Sequence, residues 1–305
     1  MDGMARRKSR IDRPTEERRV SRRRLSVVIP TWNRAHLLGE AVESALGQEG
    51  GDLEVIVVDD GSTDGTAEVI ERRFGKSVKL LRMPTRSGVG AARNEGVRQA
   101  TGDLLSFLDS DDLWLPGKLR AELDVLERFP DAEAIISDSR FIADGQFVGT
   151  SKFAENGALA ATGGCAQWVD DSPWLWTIPD NGVSTCGIML CRRAVTKLGQ
   201  PLFATDLDWC EDWELELRLY QECRVVAIPE VWSHVRWIND GTRVGRACPG
   251  QPRSPDQEIG LLRDQLTVIE RSIRPGRLPA DLARALEDFR WRISSQLTRL
   301  EAAQA

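Results

Sequence analysis

The chain has 305 residues, 41% hydrophobic and 29% charged, enough to bury a sizeable core in one large α/β domain with an appendage. Net charge is −6, yet residues 5–24 carry ten Lys/Arg against three Asp/Glu, so the remainder is strongly acidic and unsuited to general nucleic-acid binding. Six cysteines without a Cys-x-x-Cys pair, and two histidines (His36 and His234), argue against a structural zinc site and for a reducing compartment.

No apolar run approaches the roughly twenty residues of a membrane span, and no apolar segment follows the basic start as a secretory signal requires. The expected compartment is the cytoplasm. Residues 1–24 form a basic, polar arm without periodic apolar positions, and disorder is expected there. Such an arm is either a solvated tail or a peripheral contact with an anionic surface, such as the inner face of a membrane.

The folded part opens with Leu25-Ser26-Val27-Val28-Ile29-Pro30, a β-branched strand stopped by proline. Helical spacing follows over residues 34–48, with Leu37, Leu38, Ala41, Val42, Ala45 and Leu46 on one face. A second strand at 53–58 runs into Asp59-Asp60-Gly61-Ser62, and a helix opens at Thr63-Asp64-Gly65-Thr66. A third strand at 78–83 leads through a Gly-rich turn to a helix over 89–100. Strands alternating with helices predict right-handed βαβ units and a mostly parallel sheet flanked by helices.

The fourth strand, Leu104 to Leu108, is apolar apart from Ser106, as suits a buried parallel strand. It ends in Asp109-Ser110-Asp111-Asp112. Ligands of open α/β sheets sit beyond the carboxyl ends of the strands. Asp-x-Asp places two carboxylates on one side of an extended backbone. Three acids there repel one another unless a cation sits among them, and hard oxygen ligands suit Mg²⁺ or Mn²⁺. A helix N-terminus also favours acids, but a cap needs one, and Asp112 alone fits that role.

The other strand ends suit a nucleotide. Pro30 and Thr31 offer backbone. Asp60 is placed to accept from the N3–H of a uracil or thymine ring, although Asp-Gly at a strand end is also an ordinary turn. Gly88 and Gly90 allow close backbone approach to a ligand. Arg93, one turn into the next helix, reaches either the base or the acid cluster. The pattern is Gly-x-Gly-x-x-Arg; it is not the dinucleotide fingerprint, and no Walker lysine loop occurs.

Four segments in this order resemble the successive signatures of family-two glycosyltransferases of the GT-A fold. They are Val27-Val28-Ile29-Pro30-Thr31-Trp32-Asn33-Arg34, Val57-Val58-Asp59-Asp60-Gly61-Ser62-Thr63-Asp64, Gly90-Ala91-Ala92-Arg93-Asn94-Glu95-Gly96 and Phe107-Leu108-Asp109-Ser110-Asp111-Asp112. The resemblance covers about residues 25–240 and is densest before residue 115. It implies a Rossmann-like sheet, a UDP- or dTDP-sugar donor, Mg²⁺ or Mn²⁺ on the diphosphate, and inversion at the anomeric carbon. It carries the base contact onto Asp60 and the metal role onto Asp109 and Asp111, with Arg93 organising that pocket. Pro30, Thr31, Gly88 and Ser110 are the further donor-side candidates.

After Pro116 a helix is expected to Phe129, then a strand at 134–139 and a hairpin over 141–150 turning at Asp144-Gly145. The pattern then fades to Val183. Seven of the ten tryptophans fall between Trp168 and Trp237. An indole stacks on the C–H face of a sugar, and its N–H bonds a hydroxyl. Trp174 and Trp176, in a Pro-bracketed loop, are candidates for an acceptor wall or for plain core packing.

A strand at 184–191 and a short helix at 192–198 precede Asp206 to Glu214, which opens a helix reaching about Glu222. Its Glu211-Asp212 matches the family's Glu-Asp motif. Inverting transfer needs the acceptor's proton removed as it attacks opposite the diphosphate, and a carboxylate within about 3 Å can be the general base. Asp212 is the expected base. Glu211 is expected to orient it or bond the donor sugar, with Trp213 a substrate contact beside them. Acids in a first helical turn also suit the helix dipole, but the upstream metal motif favours the catalytic reading.

A closing strand at 224–228 leads to Pro229-Glu230-Val231-Trp232-Ser233-His234-Val235-Arg236-Trp237, which resembles the family's last core segment. Members often carry a metal-side histidine shortly after an arginine there. Aligning on Arg236 puts Ile238 at that position, so His234 is either a substitute ligand or a core residue. Arg236 is expected to fork onto diphosphate oxygens. Residues 241–257 read as a mobile loop able to close over the donor. Residues 258–305 read as a helical hairpin, with Ile259, Leu262, Leu266, Ile269 and Ile273 and then Leu282, Leu286, Phe289, Ile293, Leu297 and Leu300 as its stripes. The hairpin packs on a catalytic domain at 25–240, or docks an acceptor or a second copy in a homodimer.

Two other functions compete. A sugar-phosphate nucleotidyltransferase resembles a Gly-rich loop with Arg and Lys after the first strand, where this chain has Pro30-Thr31-Trp32-Asn33-Arg34. A non-catalytic nucleotide-sugar-binding module does not need Asp109, Asp111 and Asp212 together. The acceptor is open among a saccharide, a lipid-linked sugar, a natural product and a peptide.

Overall fold

In the computed structural model, which describes residues 23–169, 182–238, 253–272 and 280–304, the apolar runs of the N-terminal half become neighbouring strands. β1 (Arg24–Thr31), β2 (Asp52–Asp59), β3 (Lys79–Arg82) and β4 (Leu104–Phe107) stand in the order β3-β2-β1-β4. All three pairings are parallel. The crossovers are α1 (Leu38–Leu46), α2 (Thr66–Phe74) and α3 (Val89–Gln99). Val27, Val28 and Ile29 are all fully buried, so both faces of β1 are covered and the strand reads as an unbroken apolar run. The common direction brings the ends of β1, β2 and β4 to one sheet edge, with Thr31 opposite Asp59.

The chain continues as β5 (Leu113–Trp114), α4 (Lys118–Arg128), β6 (Ala134–Ala143), β7 (Gln146–Ser151), α5 (Lys152–Asn156), α6 (Ala158–Thr162), β8 (Gln167–Trp168), β9 (Ile188–Cys191), α7 (Arg192–Leu198), α8 (Glu211–Glu222), β10 (Val225–Trp237), α9 (Pro255–Ser272) and α10 (Ala280–Gln304). The sheet runs on from β4 through β9, β6 and β10 to β5. β6 and β10 are parallel, whereas β9 is antiparallel to both β4 and β6. The β6–β7 hairpin turns where expected, with Asp144 (φ 49°) and Gly145 (φ 74°) in the left-handed region that tight hairpin turns use.

Three elements differ from expectation. β9 covers only the second half of the strand expected at 184–191, because Thr185–Gly187 form a 3-10 turn. β10 is not a five-residue strand; it runs to Trp237 through register shifts between Ile228 and Ser233. Pro229 lies in that interruption, where it has no N–H to give the ladder. α9 begins at Pro255, inside the stretch read as a loop. There Gln257 N–H donates to Ser254 Oγ (3.2 Å), and Ser254 N–H donates to Gln257 Oε1 (3.0 Å). This reciprocal cap precedes a proline whose ring pre-sets the first helical turn.

α9 and α10 bury Leu262, Val268, Ile269, Leu286, Phe289 and Ile293 against Leu207, Cys210, Trp213 and Leu217. The hairpin therefore packs on the segment and helix that carry Glu211 and Asp212. The expected basic arm (apart from Arg23 and Arg24), Trp174 and Trp176, and residues 241–252 of the expected lid lie outside the described residues. No described helix is long and apolar enough to cross a membrane.

Candidate active site

The carboxyl ends of β1, β2 and β4 open into a cavity of about 930 Å³. Of the expected site residues, Pro30, Thr31, Asp60, Gly88, Arg93, Asp109, Ser110, Asp111, Glu211, Asp212 and Trp213 line it.

On the donor side, Asp60 is locked by backbone. Its N–H donates to Thr31 O (2.8 Å), and its carboxylate accepts from Ser87 N–H (2.7 Å) and Gly88 N–H (2.8 Å). Burial pushes this carboxyl above its usual value, and the two amides pull the other way. The β2 turn packs tightly on this loop: a Cβ on Gly61 (φ 73°) would lie 2.9 Å from Arg86 N. Arg86 in turn lays its guanidinium 3.8 Å over the Trp32 ring, and both line the cavity. Gly90 does permit close approach, but to the chain itself, because a Cβ there would lie 2.5 Å from Ala204 O. Asn94 holds that segment by exchanging two 2.9 Å bonds with the Phe203 backbone.

The acids are organised by arginines. Buried Arg93 reaches Asp109 Oδ1 (2.7 Å) with Nη2 and Glu211 Oε1 (2.5 Å) with Nη1. Burial alone would lower its pKa, but Asp109 and Glu211 overcome that and hold it above the ordinary arginine value. Arg34 Nη2 pairs with Asp111 Oδ2 at 3.4 Å. Asp112 is structural: it accepts from Arg236 N–H (3.0 Å), while its own N–H donates to Asp109 O (3.0 Å).

Asp212 keeps some exposure to the cavity, yet burial, followed by repulsion from Glu211, pushes its carboxyl up to about 7. Arg93, Lys152 and the Trp213 N–H, which donates to Oδ1 at 2.7 Å, oppose that rise. Among the described residues no three or more His, Cys, Asp or Glu side chains cluster as a ready metal cage. Asp109 and Asp111 are a hard-oxygen pair. That set fits Mg²⁺ or Mn²⁺ when a substrate supplies phosphate oxygens, since Mg²⁺ commonly uses one or two protein carboxylates with substrate phosphates.

Two expected residues sit elsewhere. Val235 lines the cavity, so its neighbours on β10, His234 and Arg236, project to the opposite face. His234 packs edge-on to Phe147 (5.3 Å), and burial, then Arg140, push its pKa down. It is not grouped with Asp109 and Asp111. Arg236 pairs with Glu40 and donates from Nε to the Asp111 carbonyl, bracing the acid loop from behind instead of facing a diphosphate. The register shifts earlier in β10 decide this, because a one-residue slip reverses which side chains face a cavity.

Several lining residues were not anticipated. Arg34 ends a quoted motif segment but had no role. Trp209, Lys152, Arg253, Leu261 and Gln265 also line the cavity. The last three belong to α9 and its cap. Their segment is tied down by Asp264, which accepts from Asp208 N–H (2.8 Å) and Trp209 N–H (2.9 Å).

The model of glycosyl transferase family 2 matches residues 26–170. That stretch, just under half of the chain, is similar to a family 2 glycosyltransferase domain. An uncharacterized glycosyltransferase of Haemophilus influenzae is 39% identical over 104 residues, 33% of this chain and 42% of that protein. Another, from Nostoc sp., is 37% identical over 106 residues, 34% of this chain and 33% of that protein. The matches thus span less than half the length of these curated relatives. In fold, the chain is similar to Staphylococcus aureus TarS 1–349, with a TM-score of 0.64 at 18% identity, covering 90% of this chain and 73% of TarS 1–349. It is likewise similar to the mannosyltransferase PcManGT from Pyrobaculum calidifontis in complex with GDP-Man and Mn²⁺, with a TM-score of 0.64 at 21% identity, covering 92% and 74%. These likenesses establish the GT-A type of α/β fold.

The raised Asp212 carboxyl has a stability consequence. The folded state binds this proton more tightly than the unfolded chain, so stability is lost as pH rises from about 4 through about 7. Asp212→Asn is expected to exceed wild type in stability at pH 8 by about 2 kcal/mol, and by much less at pH 5. Urea unfolding at the two pH values measures this. Equal stabilities at pH 8 would contradict the account of Asp212 as a strained buried charge.

Proposed function

We propose that this chain is an inverting, metal-dependent glycosyltransferase, moving a hexose-type sugar from a UDP- or dTDP-linked donor to an acceptor hydroxyl. The observation that carries the reading is the Arg93 guanidinium, bonded to Asp109 at the end of β4 and to Glu211 beside Asp212. It ties a donor-side carboxylate and the base-side pair to one cavity.

Each residue then has a task. Asp60 holds the Ser87–Gly88 turn and has acceptor capacity left for a base N3–H, because a carboxylate offers about four lone-pair sites. Pro30, Thr31, Gly88 and Ser110 shape the donor pocket around it. Asp109 and Asp111 would hold Mg²⁺ or Mn²⁺ against the diphosphate, and the bound ion supplies charge stabilisation to the departing phosphate oxygens. Asp212 takes the proton of the acceptor hydroxyl as that oxygen bonds to the anomeric carbon and the bond from that carbon to the diphosphate breaks. Glu211, fixed by Arg93, orients the site, and Trp213 closes its floor. We take the transferase domain as residues 25–240, followed by a loop to 257 and the helical hairpin. The structures of TarS in complex with UDP-GlcNAc and of PcManGT with GDP-Man and Mn²⁺ support a nucleotide-sugar donor and a divalent ion for this fold.

A thermal-shift screen of UDP-, dTDP- and GDP-sugars with Mn²⁺ identifies the donor. Asp111→Asn is then expected to abolish its Mn²⁺-dependent binding in calorimetry, and unchanged binding would refute the metal assignment. Asp212→Asn should bind donor almost normally while transfer falls by about 10²–10⁴-fold. Near-normal turnover in that variant would remove Asp212 from the base role.

A further inference from the structure

The cavity wall opposite the donor side holds a lysine that the reaction outlined above does not use. Lys152 opens α5, is only 7% exposed, and lines the cavity together with Glu211 and Asp212. α5 is pinned by fully buried Phe153, whose N–H donates to Asp138 Oδ1 at 2.9 Å. Asn156, four residues after Lys152, donates from Nδ2 to the Gly182 carbonyl (3.0 Å). The N–H of the same glycine donates to Glu216 Oε2 (2.8 Å), four residues after Asp212 on α8. Residues four apart stack on one helix face. Asn156 and Glu216 thus clasp Gly182 from two helices, and one turn earlier on each helix Lys152 and Asp212 both line the cavity.

We propose that Lys152 is a positioning residue for the transfer reaction, its ammonium holding the Asp212 carboxylate ionised and directed into the cavity as the acceptor arrives. This rests on the reading of Asp212 as general base. The groups facing Asp212 are Glu211 on its own helix, Arg93 from α3, Lys152 from α5 and Glu216 one turn on. Arg93 directs its two terminal nitrogens to Asp109 and Glu211, so its charge reaches Asp212 only at a distance, and Lys152 adds a second cation on the side of α5. Two further acids, Glu216 and Asp138, also lie within reach of the Lys152 charge. Burial pushes Glu216 up to about 8, so it is largely neutral at pH 7, with Tyr220 Oη at 2.9 Å. Asp138 Oδ1 already accepts from the Ser139 and Phe153 amides at 2.7 and 2.9 Å.

The test is a ¹³C-carboxyl NMR titration of the full chain, with Asp212→Asn assigning the resonance. Lys152→Met is expected to raise the Asp212 midpoint by about one pH unit or more, a tenfold change in its ionisation, while Lys152→Arg stays near wild type. An unmoved midpoint in Lys152→Met overturns the proposal. Lys152→Gln, which keeps much of the length, is read in the same way where the methionine variant does not fold. The pH profile of UDP release from the identified donor separates the two layers. An Asp212→Asn enzyme with wild-type turnover ends both readings. An inactive Asp212→Asn, with the acid limb of Lys152→Met unmoved from wild type, ends the Lys152 proposal and leaves the base assignment standing.

Discussion

The Arg93 guanidinium stands buried between Asp109, 16 residues away in the chain, and Glu211, 118 residues away. Glu211, 8% exposed, depends on it more than Asp109, 32% exposed. A carboxylate at the end of β4 and another at the start of α8 would face each other across a poorly solvated gap, and leaving one buried charge unpaired costs about 3–5 kcal/mol. α3 supplies this arginine one turn after Gly88, and Gly88 is itself held by Asp60. The nucleotide edge of the sheet, the acid loop and the helix of the proposed base are therefore one connected polar assembly, not three separate motifs.

The same assembly explains why so much of the molecule is devoted to bracing loops. Arg236 and Asp112 secure the acid loop from behind. Asn94 and Gly90 dock residues 203 and 204 on α3, and Asp264 docks residues 208 and 209 on α9. The segment leading into Glu211 is thus clamped at both ends. Trp213, at the root of α8, packs edge-on to Phe289 of α10 at 6.1 Å. The C-terminal hairpin consequently shapes the far wall of the cavity, although it lies beyond the stretch matched by the family model.

The N-terminal half was legible in the sequence for a simple reason. Strands buried on both faces are largely apolar, so β1, β2 and β4 announce themselves, and the acids that follow β2 and β4 stand out as exceptions. The Glu211-Asp212 pair stood out only through its resemblance to the family's Glu-Asp motif and the acids upstream, because acids in a first helical turn equally suit the helix dipole. What failed depended on register and tertiary packing. Pro229 signals an interruption but not how many residues it displaces, so the facing of His234, Val235 and Arg236 could not be read. The Ser254-Pro255-Asp256-Gln257 cap was a readable signal that composition obscured, because its surroundings are rich in glycine, proline and arginine. Lys152 left no local trace. It begins a helix of five residues whose place is set by Phe153, Asp138 and Gly182, all remote in meaning until the chain folds.

The central claim is that one cavity binds a nucleotide diphosphate against Asp109 and Asp111 on one wall and presents Asp212 on the other. Crystals grown with UDP and Mn²⁺ test it directly through the anomalous signal of manganese. The account predicts a manganese peak bound by Asp109 and Asp111, with the diphosphate beside it and the uracil against Asp60 and Gly88. A nucleotide bound elsewhere, or manganese away from both aspartates, would contradict it.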